Sequence, residues 1–396
     1  MRYLLDKRRE KGYNESVMET IYLDNAATTP LDREVFEKIA PYYTELFGNA
    51  DSPHAVGRRA MRAVDEARDT LASLMNAKNN EIYFTSGGTE SDNWAILGGA
   101  KAMREQGRTH IVISSIEHHA CFHAVETLER EGFSVTYLPV NKSGRVESGA
   151  LKEAITKNTG LVALMWANNE TGVLQPIETA CELAHEQGAL FFTDAVQATP
   201  YLPIDVKGLG VDMLSFSGHK FHGVKGSGGL YIKNGVKIKK LVGGGEQERG
   251  LRGGTVNVPS VVALALAYAK TRAEQTQANE KIKGLSELFM KEIATLDGVV
   301  QNGDTQNALP SILNLRFNGV ENTAFLYNMD LKGVCLAAGS ACASASVKPS
   351  HVLTAMGLTE REAKESVRFS FGKTNTAEEI RQAASLTKET VERLRK

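Results

Sequence analysis

Lys220 lies in "SFSGHKFHG", where the apolar run 212–216 gives way within four residues to Ser217, His219 and Lys220. A lysine abutting a buried strand is costly unless it is paired or covalently used. Asp194 follows a second apolar run in "FFTDAVQA", with Gln197 three residues on. A carboxylate placed there needs a cation or strong hydrogen bonds. A third run ends in "SIEHHACFH". Its Glu117, His118, His119, Cys121 and His123 admit a metal, since His119 and His123 fall at i, i+4, but they equally admit a ring that stacks on a flat ligand. No fixed signature such as HExxH is present, and the adopted reading has no metal. "TSGGTESDN" sets Gly87, Gly88 and Thr89 ahead of a helix, as an anion cradle or as an ordinary turn and cap. Asn168 and Asn169 follow a fourth run as amide donors. "AAGSACASASVKP" places Cys342 among tiny residues, either as an incidental thiol in a loop or as an accessible nucleophile, for which the thiolate is the reactive form.

The elements that must position these residues are short apolar runs alternating with helical patterns. Strands are expected at 81–85, 110–114, 134–138, 161–166, 189–193, 212–216 and 228–232. Such continuous apolar runs belong to strands covered on both faces. Helices are expected over 58–76, 91–106 and 176–188, the last opened by Pro176. The alternation predicts an α/β fold around a mostly parallel seven-stranded sheet. Beyond about residue 260 the rhythm changes: a long helix over 260–296, strands near 312–317 and 366–371, and a last helix from 377. Thr376 and Glu379 form a capping-box pattern at its start. That region reads as a smaller α+β domain. In such sheets ligands sit at the carboxyl ends of strands, where the polar residues above fall. A lysine, a carboxylate, a stacking imidazole and a phosphate cradle on separate strand ends are what pyridoxal 5′-phosphate requires.

Composition narrows the remaining classes. Among 396 residues, 46 Lys and Arg nearly cancel 47 Asp and Glu, so no global field draws nucleic acid or an anionic membrane. No run approaches the roughly 18 apolar residues of a membrane span. Four cysteines without CxxC spacing suit a reducing compartment, and the expected address is the cytoplasm. Residues 1–20 are polar and read as a flexible extension, with Met18 a second candidate start.

"YLDNAATTP", "TSGGTESDN", "NNETGVLQPI", "DAVQ", "SFSGHKFHGVKGSGGLYI", "GGGEQERGLRGGT" and "GSACASAS…VRFSFG" follow one another from about residue 21 to 390. In these motifs the sequence resembles the cysteine desulfurases of the NifS/IscS branch, in class V of the fold-type-I pyridoxal-phosphate enzymes. The resemblance implies a cofactor domain over 30–270 and a small domain, 21–29 plus 271–396, carrying the cysteine loop. It makes Lys220 the Schiff-base lysine, Asp194 the partner of the ring nitrogen, His118 the stacking ring and proton carrier, and Gln197 the neighbour of O3′. Gly88, Thr89, Ser217 and His219 would bind phosphate, and Thr255 would reach the phosphate of a second subunit, so a homodimer is implied. Asn169, also counted with the cofactor, and Arg368 would hold the substrate carboxylate, with Asn25 near the site.

Cys342 would take sulfur from L-cysteine as a persulfide, releasing L-alanine, for delivery to a sulfur-acceptor protein, an iron–sulfur scaffold or a thiolation enzyme. Two features depart from the branch. Ala343 stands where Thr is frequent, and the chain stops at "VERLRK" where housekeeping members continue with a tail that engages the scaffold. tRNA thiolation is therefore as open as cluster assembly. The competing readings are a class V aminotransferase, which has no use for the cysteine loop, a selenocysteine lyase, and a non-catalytic scaffold for a sulfur-handling partner. Retention of Lys220, Asp194, His118 and Cys342 argues against the scaffold.

Overall fold

The structure, a computed structural model, describes residues 20–339 and 349–396. Its strands are, in chain order, β1 (Ile21–Tyr22), β2 (Ile82–Thr85), β3 (His110–Ser114), β4 (Ser134–Leu138), β5 (Thr159–Ala163) and β6 (Leu190–Asp194). They continue with β7 (Met213–Ser217), β8 (Gly228–Ile232), β9 (Val299–Gln301), β10 (Ile312–Phe317), β11 (Val334–Cys335) and β12 (Ser366–Ser370). The helices that matter for the site are α1 (Ala55–Leu74), α2 (residues 88–104), α3 (His119–Arg130), α4 (Ile177–Glu186), α5 (Val258–Glu292), α6 (Asn322–Asp330) and α7 (Ala377–Leu394).

Seven strands form the main sheet in the order β2-β8-β7-β6-β5-β3-β4. Strand β8 alone runs against its neighbours β2 and β7, and the other pairings are parallel. Strands β5, β6, β7 and β8 are buried along nearly their whole length, which is why they read as unbroken apolar runs. Helices α1 and α4 and the first part of α5 cover one face through Val64, Leu71, Ala180, Ala184, Leu264 and Tyr268. Residues of α2 and α3, among them Trp94, Cys121 and Leu128, cover the other. Strand order reverses between β5 and β3, the position where open α/β sheets place their ligands.

A second, antiparallel sheet, β12-β10-β9, has its own core with α6, α7 and the far end of α5. Helix α5 is 35 residues long, about 52 Å at 1.5 Å per residue, and serves both cores. Val261 and Leu264 pack in the first and Ile282, Leu285 and Phe289 in the second. The two-stranded parallel pair β1–β11 adjoins β12 through a bridge from Asp24 to Ser370.

Most expected elements appear within a few residues of their sequence bounds. The run 161–166 was expected as one strand, yet the ladder of β5 ends at Ala163. Leu164 and Met165 stay buried, and Leu164 and Trp166 still donate to β6 carbonyls, but the Met165 N–H is taken by the Glu117 carboxylate at 2.8 Å instead of by a neighbouring strand. The helix expected at 91–106 begins at Gly88 and contains a π-helical turn, Trp94–Gly98, beneath fully buried Trp94. Strands β1, β9 and β11, of two or three residues, carry too little pattern to read.

The capping box of α7 is present: Thr376 Oγ1 accepts from the Glu379 N–H at 3.2 Å, and the Glu379 carboxylate accepts from the Thr376 N–H at 2.8 Å. Thr376→Ala is expected to lower stability by about 1 kcal/mol. Denaturant titration of the variant against the parent checks this.

Candidate active site

The ends of β2, β3, β5, β6 and β7 open on one cavity of about 180 Å³. Gly88, Thr89, His118, Asn169, Asp194, Gln197, Ser217, His219, Lys220 and Arg368, all singled out in the sequence, line it. Strand β12 of the second sheet supplies Arg368, and the segment after β1 supplies Ala26 and Ala27. The pocket therefore lies at the seam between the two sheets.

Lys220 closes a short 3-10 turn after β7, and its Nζ donates to the carbonyls of Ala26 and, at 3.0 Å, Ala27. Gln197 Nε2 donates to the same Ala26 carbonyl at 2.8 Å. Asp194, the last residue of β6, is buried, and its Oδ1 accepts from the Val196 N–H at 2.9 Å. His118 is the N-cap of α3, where its Nδ1 accepts from the Ala120 N–H at 3.2 Å. Burial first, and then the charge of Lys220, hold the His118 imidazole down at about 4. The ring is therefore neutral near pH 7, with Nδ1 accepting and the proton on Nε2. His219 is held down at about 4 in the same way, by burial and then Lys220, and its Nδ1 lies 3.1 Å from Thr28 Oγ1.

Two further carboxyls lie close to Asp194: Asp92, which also lines the cavity and carries no sequence signal, and Glu117, which the sequence places after the β3 run. Asp92, on α2, accepts from Ser215 Oγ at 2.6 Å, and Ser215 is the cross-strand partner of Asp194. Glu117 accepts from Ser114 Oγ at 2.6 Å and from the Met165 N–H, while its second oxygen is buried without a partner. Burial pushes the Glu117 carboxyl up to about 8, and burial and then the Asp194 charge push Asp92 well above the carboxylate range. Burial raises Asp194 as well, to about 6, and the Val196 N–H and Lys220 keep it from rising further. The ionised carboxyl of the three is thus Asp194. One ligand atom each from Asp92, Cys121 and Asp194 falls within a 4.8 Å cluster, whereas the His119 and His123 rings stack 6.0 Å apart on α3. The spacing of Asp92 from Cys121 and Asp194 carries no sequence signal, because three separate elements bring them together.

Three candidates stand elsewhere. Thr255 lines a different cavity of about 180 Å³, with Thr85, Ser86 and Gly228. The loop leading to it turns through left-handed backbone at Glu248 and Arg249 (φ 45° and 58°) and is pinned by the buried Arg68–Glu248 pair. Asn25 is buried and spends its Nδ2 on the carbonyls of Ser370 and Tyr22; it lines a small cavity of about 30 Å³ on the other side of Lys220. Cys342 lies outside the described residues.

Pyridoxal 5′-phosphate fits this pocket on the structure's own terms. A buried carboxylate at a strand end asks for a protonated ring nitrogen. Gly88 leaves room beside Val196, where an added Cβ would come within 2.8 Å of Cγ2, and it opens a helix whose N-terminus suits an anion. With the sheet topology, these features define a fold-type-I pyridoxal-phosphate enzyme.

The aminotransferase class-V family model matches residues 21–382. The chain is 48% identical over 379 residues to the IscS 1 protein of Bacillus subtilis (strain 168), covering 95% of this chain and 100% of that one. It is 45% identical over 377 residues to the cysteine desulfurase IscS of Methanosarcina thermophila, covering 95% and 93%. A solved NifS-like protein superposes with a TM-score of 0.88 at 34% identity, covering 93% of this chain and 98% of its own. The chain belongs to the class-V aminotransferase family, within its IscS/NifS cysteine desulfurases. Among the described residues no helix is long and apolar enough to cross a membrane.

The buried acids give the protein a defined pH response. In the fold Glu117 keeps its proton up to about pH 8, whereas an unfolded glutamate loses it near 4.5. The unfolded chain is therefore favoured progressively as pH rises from 4.5 to 8. Glu117→Gln removes that dependence. Melting temperatures of variant and parent should diverge in the variant's favour across this window, and a constant difference would contradict the assignment.

Proposed function

We propose that this chain desulfurates L-cysteine to L-alanine, with pyridoxal 5′-phosphate held in the strand-end pocket and Cys342 as sulfur acceptor. The observation that carries the reading is the convergence of Lys220, Asp194 and Arg368, from three strands of two sheets, on one cavity. Lys220 would carry the cofactor, Asp194 would face the ring nitrogen and His118 would lie against the ring. Gln197 would approach O3′, and Gly88, Thr89, Ser217 and His219 would bind the phosphate. The bound cofactor supplies an electron sink for charge that develops at the substrate's α-carbon.

The protein's own groups supply the rest. Arg368 and Asn169 would orient the substrate by its carboxylate. Arg368 Nε is buried without a partner, which leaves the guanidinium a donor to offer. Lys220 Nζ would take the α-proton. Neutral His118 would hold a transferable proton on Nε2, because its Nδ1 is committed to the Ala120 N–H. The Cys342 thiolate would attack the substrate sulfur: an S–S bond forms, the C–S bond breaks, and the electron pair left on carbon takes a proton to give L-alanine.

Two separate hydrophobic cores support a division into a cofactor domain over 30–270 and a small domain of 21–29 plus 271–396. Placement of Thr255 in a cavity apart from that of Lys220 favours its service to a second subunit's phosphate, hence a homodimer. The persulfide would pass to an acceptor protein for iron–sulfur assembly or thiolation in the cytoplasm.

The test compares the parent with Lys220→Ala and Cys342→Ser, each given L-cysteine. Lys220→Ala is expected to lose both the visible absorption of the bound cofactor and alanine formation. Cys342→Ser is expected to keep the absorption and lose the protein-bound persulfide. Release of sulfur by Cys342→Ser at the parental rate would remove Cys342 from the mechanism.

A further inference from the structure

We infer that Asp24 is a positioning residue for substrate recognition: it fixes the guanidinium of Arg368 in the pose that receives the substrate carboxylate. The inference rests on the reading of Arg368 given above and extends it to a residue outside the cavity lining.

Arg368 projects from β12 with its side chain 1% exposed. A buried guanidinium must have its charge and donors met, or it is expelled or finds another rotamer. Asp24 Oδ1 accepts from Arg368 Nη2 at 2.8 Å, and the Asn169 carbonyl accepts from Nη1 at 2.7 Å. Of the five N–H donors of a guanidinium, these two contacts use one each from different nitrogens. Nε is buried with no partner among the described residues. Two anchors at the far nitrogens fix the plane of the fork, and the remaining donors can grip a carboxylate at two points.

Asp24 is itself held by backbone on both sides. The preceding residue, Leu23, donates its N–H to Cys335 in β11 at 3.0 Å and accepts from the Ser370 N–H in β12 at 2.7 Å. Asp24 bridges Ser370, and its own carbonyl accepts from the Ala27 N–H at 3.0 Å, closing the turn that offers Ala26 and Ala27 to Lys220. One four-residue turn therefore sets the pose of both the carboxylate-binding Arg368 and the reacting Lys220. An asparagine at position 24 would keep an acceptor oxygen for Arg368, whereas alanine would remove it.

The experiment uses the holoenzyme in four forms: parent, Asp24→Ala, Asp24→Asn and Arg368→Lys. The readouts are KM and kcat for L-cysteine, the calorimetric Kd for L-alanine, and the visible absorption of the cofactor. Asp24→Ala is expected to raise both KM and the L-alanine Kd about tenfold, the effect of misplacing one charge-assisted grip. It should change kcat within about threefold and leave the absorption unaltered, since a uniform-binding loss falls on KM. Asp24→Asn is expected to recover most of the loss, which a merely structural charge pair would not predict. Should Asp24→Ala fail to fold, Asp24→Ser, whose hydroxyl is too short to span the contact, replaces it with the same expectation. Unchanged KM and Kd in the folded alanine or serine variant overturn the inference. If Arg368→Lys still raises both constants in that case, Arg368 keeps its assignment and Asp24 alone loses its role. If Arg368→Lys also leaves them unchanged, the carboxylate reading of Arg368 itself fails.

Discussion

A single ionised carboxylate, almost wholly buried at the end of a strand, sets the terms for the rest of this molecule. Asp194 ends β6 at 6% exposure, with Asp92 and Glu117 buried around it. Three charges together there would be untenable, because like charges in a low dielectric repel strongly and each also loses its hydration. The fold resolves this by giving each carboxyl a different set of partners. Asp92 has a hydroxyl from Ser215. Glu117 has a hydroxyl and one N–H, with one oxygen left alone. Asp194 alone has both a backbone N–H and a lysine charge acting on it. The negative charge is thereby concentrated on Asp194 at the cavity wall, where a protonated ring nitrogen would complete it.

That arrangement explains several features that otherwise look unrelated. Helix α2 begins at the glycine cradle and carries Asp92 one turn later, so the group that would receive phosphate and the acid behind the ring belong to one rigid element. Past Ala163 the chain keeps hydrogen bonds to β6 through Leu164 and Trp166 while Glu117 takes the Met165 N–H, and Asn169 reaches the pocket beyond them. The neutral state of His118 follows from the same crowding: it sits on an N-cap, close to Lys220 and in a buried place, so a second cation is disfavoured.

Much of this was legible in the sequence because strands buried on both faces leave unbroken apolar runs, and the first polar residue after each run falls at a strand end. Lys220, Asp194, His118 and Ser217 announce themselves by that contrast. Arg368 carried no such contrast of its own, since its strand is polar on alternate residues, and it entered through the motif "VRFSFG". Asp92 was hidden for a different reason, and Glu117, named among the polar residues after β3, gave no sign of its burial. Acidic residues on a helix or loop are ordinarily solvated, and only tertiary packing buries these two. Asp24 was masked within a familiar motif, where its neighbours drew the attention. The short strands β1, β9 and β11 owe their pairing to contacts distant in sequence, which no local period records.

The position of the cavity at the seam of two cores has a mechanistic consequence. Lys220 and Asp194 are fixed by the main sheet, and Arg368 by the small one. A substrate that Arg368 held by its carboxylate beside Lys220 would span two bodies of packed side chains, and small relative shifts would spoil the geometry. Besides α5, which packs in both cores, a connection that resists such shifts is the stretch from Leu23 to Ala27. It pairs with β11 and β12 on one side and accepts the Lys220 and Gln197 hydrogen bonds on the other. The backbone of β12 at Arg368 pairs in turn with Ala337, near where the chain enters the cysteine segment. Arg368, Lys220 and Ala337, the last a few residues before Cys342, are thus tied through one hydrogen-bonded run of backbone. Double-mutant coupling in substrate binding between Asp24 and positions on the Lys220 turn is the physical form that connection takes.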